Sequence, residues 1–249
     1  MKQFFSGLGA AIPIAGGYIP VAITYGLIVR TGGLSVLDAG LSSIIIFAGA
    51  AQFLAAGMFF SGAGILQIVV SGWLLNLRHL LMSSVIAEHV DRELPLAARS
   101  ALAFGITDEV FGVASWRVAA GGTIPPLFLA GLEIGAYLSW VGGTILGAAV
   151  GNVLPPSVRI AMGMALYALF AALLAGQIRE VRGGRRMRVV LAAATSGGLN
   201  WFLRSAAGFD PGVAFPLAMV LGALIFTFFG PDGEELKPAT APVPPEEAT

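Results

Sequence analysis

The sequence predicts an all-α, polytopic bundle embedded in a membrane, with about seven to eight crossing helices, some interrupted by glycine and proline. Three observations carry that prediction. Hydrophobic residues make up 57% of the 249 and charged residues only 11%, against about 25% charged in an ordinary soluble domain. Mean hydropathy is +0.85. Apolar runs of about 20 residues recur, the length a helix needs to cross some 30 Å of hydrocarbon. They lack the short alternation of barrel strands.

The runs fall near 5–29, 37–60, 64–86, 100–119, 126–150, 157–177, 188–204 and 212–229. Met1-Lys-Gln and the run after it resemble a signal peptide, but Pro13, Gly16, Gly17 and Pro20 interrupt the stretch and no clean cleavage site follows. The first element is therefore expected to be a retained helix, broken around those residues. In the second, Gln52 stands among Gly49, Ala50, Ala51, Ala55 and Ala56, small enough to let another backbone approach. It is a candidate contact for a substrate amino group, or a glutamine bonded to a neighbouring helix. The third carries Asn76-Leu-Arg-His79 and the fourth Thr107-Asp-Glu109.

The fifth run holds a small-residue ladder at intervals of four, Gly131, Gly135, Ser139, Gly143, Gly147 and Gly151, which predicts a tightly packed seam. Glu133 lies off it, as a second acid on a transport path or a residue reaching headgroups. The sixth run leads into Ile178-Arg-Glu-Val-Arg-Gly-Gly-Arg-Arg-Met-Arg188, whose five arginines mark the cytoplasmic side. Six helices before that loop put the N-terminus in the cytoplasm as well. Basic residues then divide eight inside to five outside, with Arg78 set aside as intramembrane. The seventh run is short, with Gly197-Gly198 before Asn200 and Trp201, and is expected to break opposite the first. The eighth completes a single permease domain over 1–230. Residues 231–249, rich in proline and acids, read as a disordered tail.

Polar groups inside apolar spans are the candidate site, because a charge at the centre of a membrane helix costs roughly 2.5 to 3.5 kcal/mol on insertion scales. The candidates for substrate binding or coupling are Gln52, Asn76, Arg78, His79, Asp108 and Glu109, with Gly16 and Gly17 for unwound backbone. A carboxylate at this depth is desolvated, which favours its protonated form and suits proton exchange. Adjacent helical residues point about 100° apart, so Asp108 and Glu109 are not expected to face one small cavity squarely, and Asp108 is the favoured coupling acid. The plainer alternative is an ion pair between one acid and Arg78. Arg78 offers a bidentate fork to a carboxylate, either the substrate's or that of Asp108, unless it snorkels to the interface. Asn76 and His79 share a face; His79 is a proton relay or a histidine bonded to a carbonyl.

Four ordered motifs resemble the AzlC family of branched-chain amino acid permease subunits: Ile12-Pro-Ile14 with Gly17-Tyr-Ile-Pro20, Phe47-Ala-Gly-Ala-Ala-Gln-Phe53, Asn76-Leu-Arg-His79 and Thr107-Asp-Glu109. The likeness covers roughly residues 7 to 155. After Arg-His the chain has Leu80-Leu-Met82, where the family usually has an aromatic. The resemblance implies export of branched-chain amino acids across the inner membrane, with a small multi-helix partner of the AzlD type. Members are often labelled ABC-transporter permeases, but no phosphate-binding Gly-x-x-x-x-Gly-Lys-Ser/Thr loop is present, and a carrier driven by the proton gradient fits better.

Other classes find little support. An enzyme built from Ser83, His79 and Asp108 has no nucleophile elbow, and Glu88-His-Val-Asp91 reads as a solvated loop and not a metal site. No catalytic residue, metal or cofactor is expected. Zero net charge argues against nucleic acid, and zero cysteines exclude disulfides. A channel and a structural subunit are the remaining alternatives.

Overall fold

The computed structural model describes residues 1–91, 93–119, 121–151 and 184–209, with 213–214, 217–218, 220–222 and 224–225. Among them it is helical with no strand. The elements are α1 (Lys2–Ala10), α2 (Ile12–Thr31), α3 (Val36–Ile46), α4 (Gly49–Phe60), α5 (Ile65–Ala87), α6 (Leu96–Phe104), α7 (Asp108–Ala119), α8 (Pro126–Val150) and α9 (Gly184–Ser205). Three of these, α2, α5 and α8, are long and apolar enough to cross a membrane. The expected sixth helix and the tail after 230 lie outside the described residues, as do parts of the eighth helix and most of the arginine loop.

The core is organised on α8, which packs along α1 and α2 and receives α3 from the side. Lipid offers no hydrophobic drive for helix association, so close van der Waals contact must supply it. The glycine ladder makes that contact. A Cβ on Gly147 would run into the carbonyl oxygen of Ile23, and one on Gly26 of α2 into that of Thr144. With both positions bare, the α2 and α8 backbones approach to a distance that no other residue permits. Around this seam Ala22, Leu129, Leu132, Ala136 and Ala148 are fully excluded from solvent.

Two predicted single helices are each divided in two. The run 37–60 breaks at Phe47 and Ala48, between α3 and α4, and the run 100–119 breaks at 105–107, between α6 and α7. Phe47 takes a left-handed backbone (φ 26, ψ 52), a conformation that costs a non-glycine residue about 1–3 kcal/mol. Its buried ring is held edge-on by Tyr137, with centroids 5.0 Å apart, and lies beside Tyr18 and Phe104. Behind the break, Trp140 Nε1 donates to Gln52 Oε1 (2.8 Å) and Gln52 Nε2 donates to Ser43 Oγ (2.9 Å), which lies 2.8 Å from Thr144 Oγ1. Tyr137 donates to the carbonyl of Ile44 near the end of α3 (2.9 Å). Tyr137 thus takes up a backbone carbonyl at the end of α3, while aromatic packing and the buried side-chain network fix the segments on either side of the break.

The breaks expected from glycine and proline lie elsewhere. The first run is interrupted at Ala11, ahead of Pro13; α2 then continues unbroken through Gly16, Gly17 and Pro20. Pro13 falls in the first turn, where its missing N–H costs nothing, and Thr24 Oγ1 donates to the Pro20 carbonyl (3.0 Å). α9 likewise runs through Gly197 and Gly198 without a break. It packs through Leu203 on Ala214 and Ala218, a cluster separate from the main core. Glycine in a membrane helix more often permits close packing than unwinding.

Candidate functional site

Where the two divided helices meet, a cavity of about 310 Å³ opens between α2, α5 and α8. Ala48, Gly49 and Ala50 bring the start of α4 to its wall, and Thr107, Asp108 and Glu109 the start of α7. Gly49 is needed there because a Cβ would lie 2.6 Å from the Trp140 ring. The first turn of a helix has N–H groups without an intrahelical acceptor and carries the positive end of the helix dipole, so both starts favour negative charge. In α7 the protein supplies that charge itself, with Asp108 and Glu109 in the first turn. Thr107 caps the helix: its hydroxyl accepts from Val110 N (3.4 Å) and its carbonyl from Phe111 N (2.8 Å).

Arg78 reaches across from α5 and donates through Nη1 to Asp108 Oδ2 at 2.6 Å, an ion pair whose members are 36% and 37% exposed. Its Nε is buried with no partner among the described residues. Glu109, on the other side of the helix start, accepts from the Tyr18 hydroxyl (2.5 Å). That hydroxyl also lies 2.7 Å from Thr107 Oγ1. One phenol proton serves one acceptor, so Thr107 donates back to Tyr18. His79 borders the cavity with Nδ1 3.3 Å from the Asn76 carbonyl. The remaining wall is apolar, from Ile14, Val21, Phe47 and Trp140.

The structure therefore brings together Gly17, Arg78, His79, Asp108 and Glu109 on one cavity. It leaves three sequence candidates off that wall. Gln52 is 1% exposed and committed to Trp140 and Ser43. Asn76 has its Oδ1 buried with no partner among the described residues, and Gly16 lies on an exposed face of α2. Asp108 and Glu109, not expected to face one small cavity squarely, both border this one from a helix start and turn to different partners, Arg78 and Tyr18.

Tyr18, Phe47 and Thr107, which the motifs contain but which were not among the candidate site residues, also belong to the wall, as does Trp140. Tyr18 carried a readable signal: a tyrosine inside an apolar helix must bring its hydroxyl to a polar partner. The roles of Phe47 and Trp140 depend on the α3–α4 break, which no local pattern marked, although Phe47 opens one of the motifs. Nothing in the cavity gathers metal ligands; among the described residues no group of three or more histidine or acidic side chains could hold an ion.

Comparison with known proteins is consistent with the motifs. The sequence model described as AzlC protein matches residues 13–154. An uncharacterized membrane protein of Archaeoglobus fulgidus is 39% identical over 158 residues, covering 63% of this chain and 64% of that protein. The inner membrane protein YgaZ of Escherichia coli K12 is 30% identical over 161 residues, again 63% of this chain and 64% of that protein. The chain thus spans somewhat less than two thirds of each relative. No solved structure matches.

Proposed function

The chain belongs to the AzlC family of membrane proteins, and from that premise we propose that it is the large subunit of an amino acid exporter. Its substrates are valine, leucine, isoleucine and their analogues, moved outward across the inner membrane at the expense of the proton gradient. A small multi-helix subunit of the AzlD type accompanies it, and the N-terminus lies in the cytoplasm.

One observation carries the reading: opposite charges stand side by side on a cavity whose other walls are apolar. A zwitterionic amino acid needs that division. Its carboxylate is met by the Arg78 guanidinium and the amide groups at the start of α4, its ammonium by Glu109 or Asp108. A branched aliphatic side chain then lies against Ile14, Val21, Phe47 and Trp140. At about 310 Å³ the space suits a single small molecule. Binding exchanges the Arg78–Asp108 pair for two pairs with the ligand, so neither charge is left unpaired.

The test is efflux of valine and leucine from preloaded cells expressing the chain, with and without the small membrane protein encoded beside it, at equal membrane levels. Efflux that requires both proteins and disappears in Arg78→Ala and Asp108→Asn is the expected result. Efflux unchanged in both variants would remove the cavity from the transport path.

A further inference from the structure

A second cavity, of about 170 Å³, borders the α6–α7 break at Gly105, between α6 and α8. Glu133 faces it, seven residues into α8 and so about 10 Å along the helix. The side chain is 6% exposed, and Oε1 is fully buried with no hydrogen-bond partner among the described residues. The carboxyl occupies the space that a side chain on Gly105 would need: a Cβ there would lie 2.5 Å from Cδ and 2.6 Å from Oε2. Gly105 ends α6, and Thr107, Asp108 and Glu109 begin α7 on the first cavity.

Among the described residues no charged side chain other than Glu133 lines this cavity, and Arg117 of α7, which meets α8, lies over the Phe128 ring and donates to the Thr123 carbonyl. Tyr137, which shares the cavity, donates its hydroxyl to Ile44. α1 meets α8 through Phe4, Gly7, Leu8 and Ala11, none titratable, and Lys2 at its start is exposed. Arg99 of α6 opens on a different cavity with Asp91, and Asp108 of α7 is paired with Arg78. Tyr18 of α2 is bonded to Glu109, Tyr25 of α2 lies 3.0 Å from Ser42 of α3, and Asp38 of α3 is bonded to Ser35. A carboxylate isolated in this way costs several kcal/mol unless it keeps its proton or reaches water.

We propose that Glu133 is the proton-binding site of the transporter, distinct from the Arg78–Asp108 cavity. The inference rests on the transport reading for its consequence but not for its chemistry. In the conformation described, Glu133 holds a proton on its carboxyl. Release of that proton to solvent leaves a carboxylate that must be hydrated, and the group covering it is the backbone at Gly105. Opening the α6–α7 break to admit water also moves Thr107, Asp108 and Glu109, so the proton and the substrate are linked through three residues of chain. The Asp108 carboxylate, already tied to Arg78, is freed for substrate.

The test uses the full chain in liposomes together with the small membrane protein encoded beside it, and two readouts. Infrared difference spectra between the unaltered protein and Glu133→Gln should show, at neutral pH, a protonated-carboxyl C=O band present in the first and missing in the second. Valine should still exchange in Glu133→Gln by counterflow, which requires no net proton movement. Accumulation driven by a pH gradient should be lost, falling from about tenfold per pH unit for one proton exchanged to no accumulation. If Glu133→Gln fails to fold, Glu133→Asp reads the same group by shifting the band instead of removing it. Absence of the band, or gradient-driven accumulation that survives in Glu133→Gln, overturns the proposal. If the unaltered protein carries no valine in either mode, the substrate assignment fails while the band still decides where the proton sits.

Discussion

Replacing Arg78 by lysine keeps the charge but removes the planar fork, and the structure allows the cost to be worked out. Arg78 Nη1 lies 2.6 Å from Asp108 Oδ2, with both side chains a little over one third exposed to the cavity. A fully exposed pair would be worth about 0–1 kcal/mol, and breaking a fully buried one costs about 3–5 kcal/mol. The intermediate exposure places each charge-assisted hydrogen bond at about 1.5–3 kcal/mol. If the guanidinium exchanges Asp108 for the carboxylate of an amino acid, Arg78→Lys should weaken valine binding by about 10- to 150-fold. Asp108→Asn should act on the same equilibrium, so the double variant should lose less than the sum of the two, with an interaction energy of about 0.5–3 kcal/mol. Equilibrium binding of labelled valine to purified protein in liposomes reads all four states of the cycle. Affinity of Arg78→Lys within about twofold of the original, or strict additivity in the double variant, would refute the exchange of partners.

Three further outcomes are expected. Gly147→Val forces a side chain onto the Ile23 carbonyl, so α2 and α8 must part at a cost of about 1–3 kcal/mol; thermal unfolding in detergent should fall by several degrees, and an unchanged midpoint would contradict the close approach. Gln52→Leu leaves Trp140 Nε1 without its acceptor and Ser43 Oγ without its donor, a loss of about 1–3 kcal/mol that the same melt would register, together with a shift in tryptophan emission as the indole loses its bond. Tyr18→Phe deprives Glu109 and Thr107 of their shared hydroxyl, and valine affinity should drop by about 5- to 150-fold at unchanged protein level; full affinity would show that Glu109 holds its place without help.

Fold class, membrane location and family were determined by the sequence alone, for a physical reason: burial in lipid demands long apolar helices, and that demand is written into α2, α5 and α8. The glycine ladder of α8 was legible for the same reason, since a period of four on a helix has one structural meaning. Arg78, His79, Asp108 and Glu109 stood out because charge and polarity inside a span are expensive. Which of the polar groups meet was decided by the tertiary structure. Gln52 and Asp108 are both candidates in the chain, yet one is locked to Trp140 behind the break and the other faces the cavity beside Arg78. The location of the breaks was decided there too. Phe47 and Gly105–Thr107 carry weaker local signals than Gly16, Gly17 and Pro20, but a helix unwinds only where neighbours satisfy its freed backbone and pack the residues that leave it. Those neighbours, Tyr137 at Ile44, Trp140 at Gln52 and Glu133 at Gly105, all come from one helix some ninety or thirty residues away, and no local pattern in the chain records that distance.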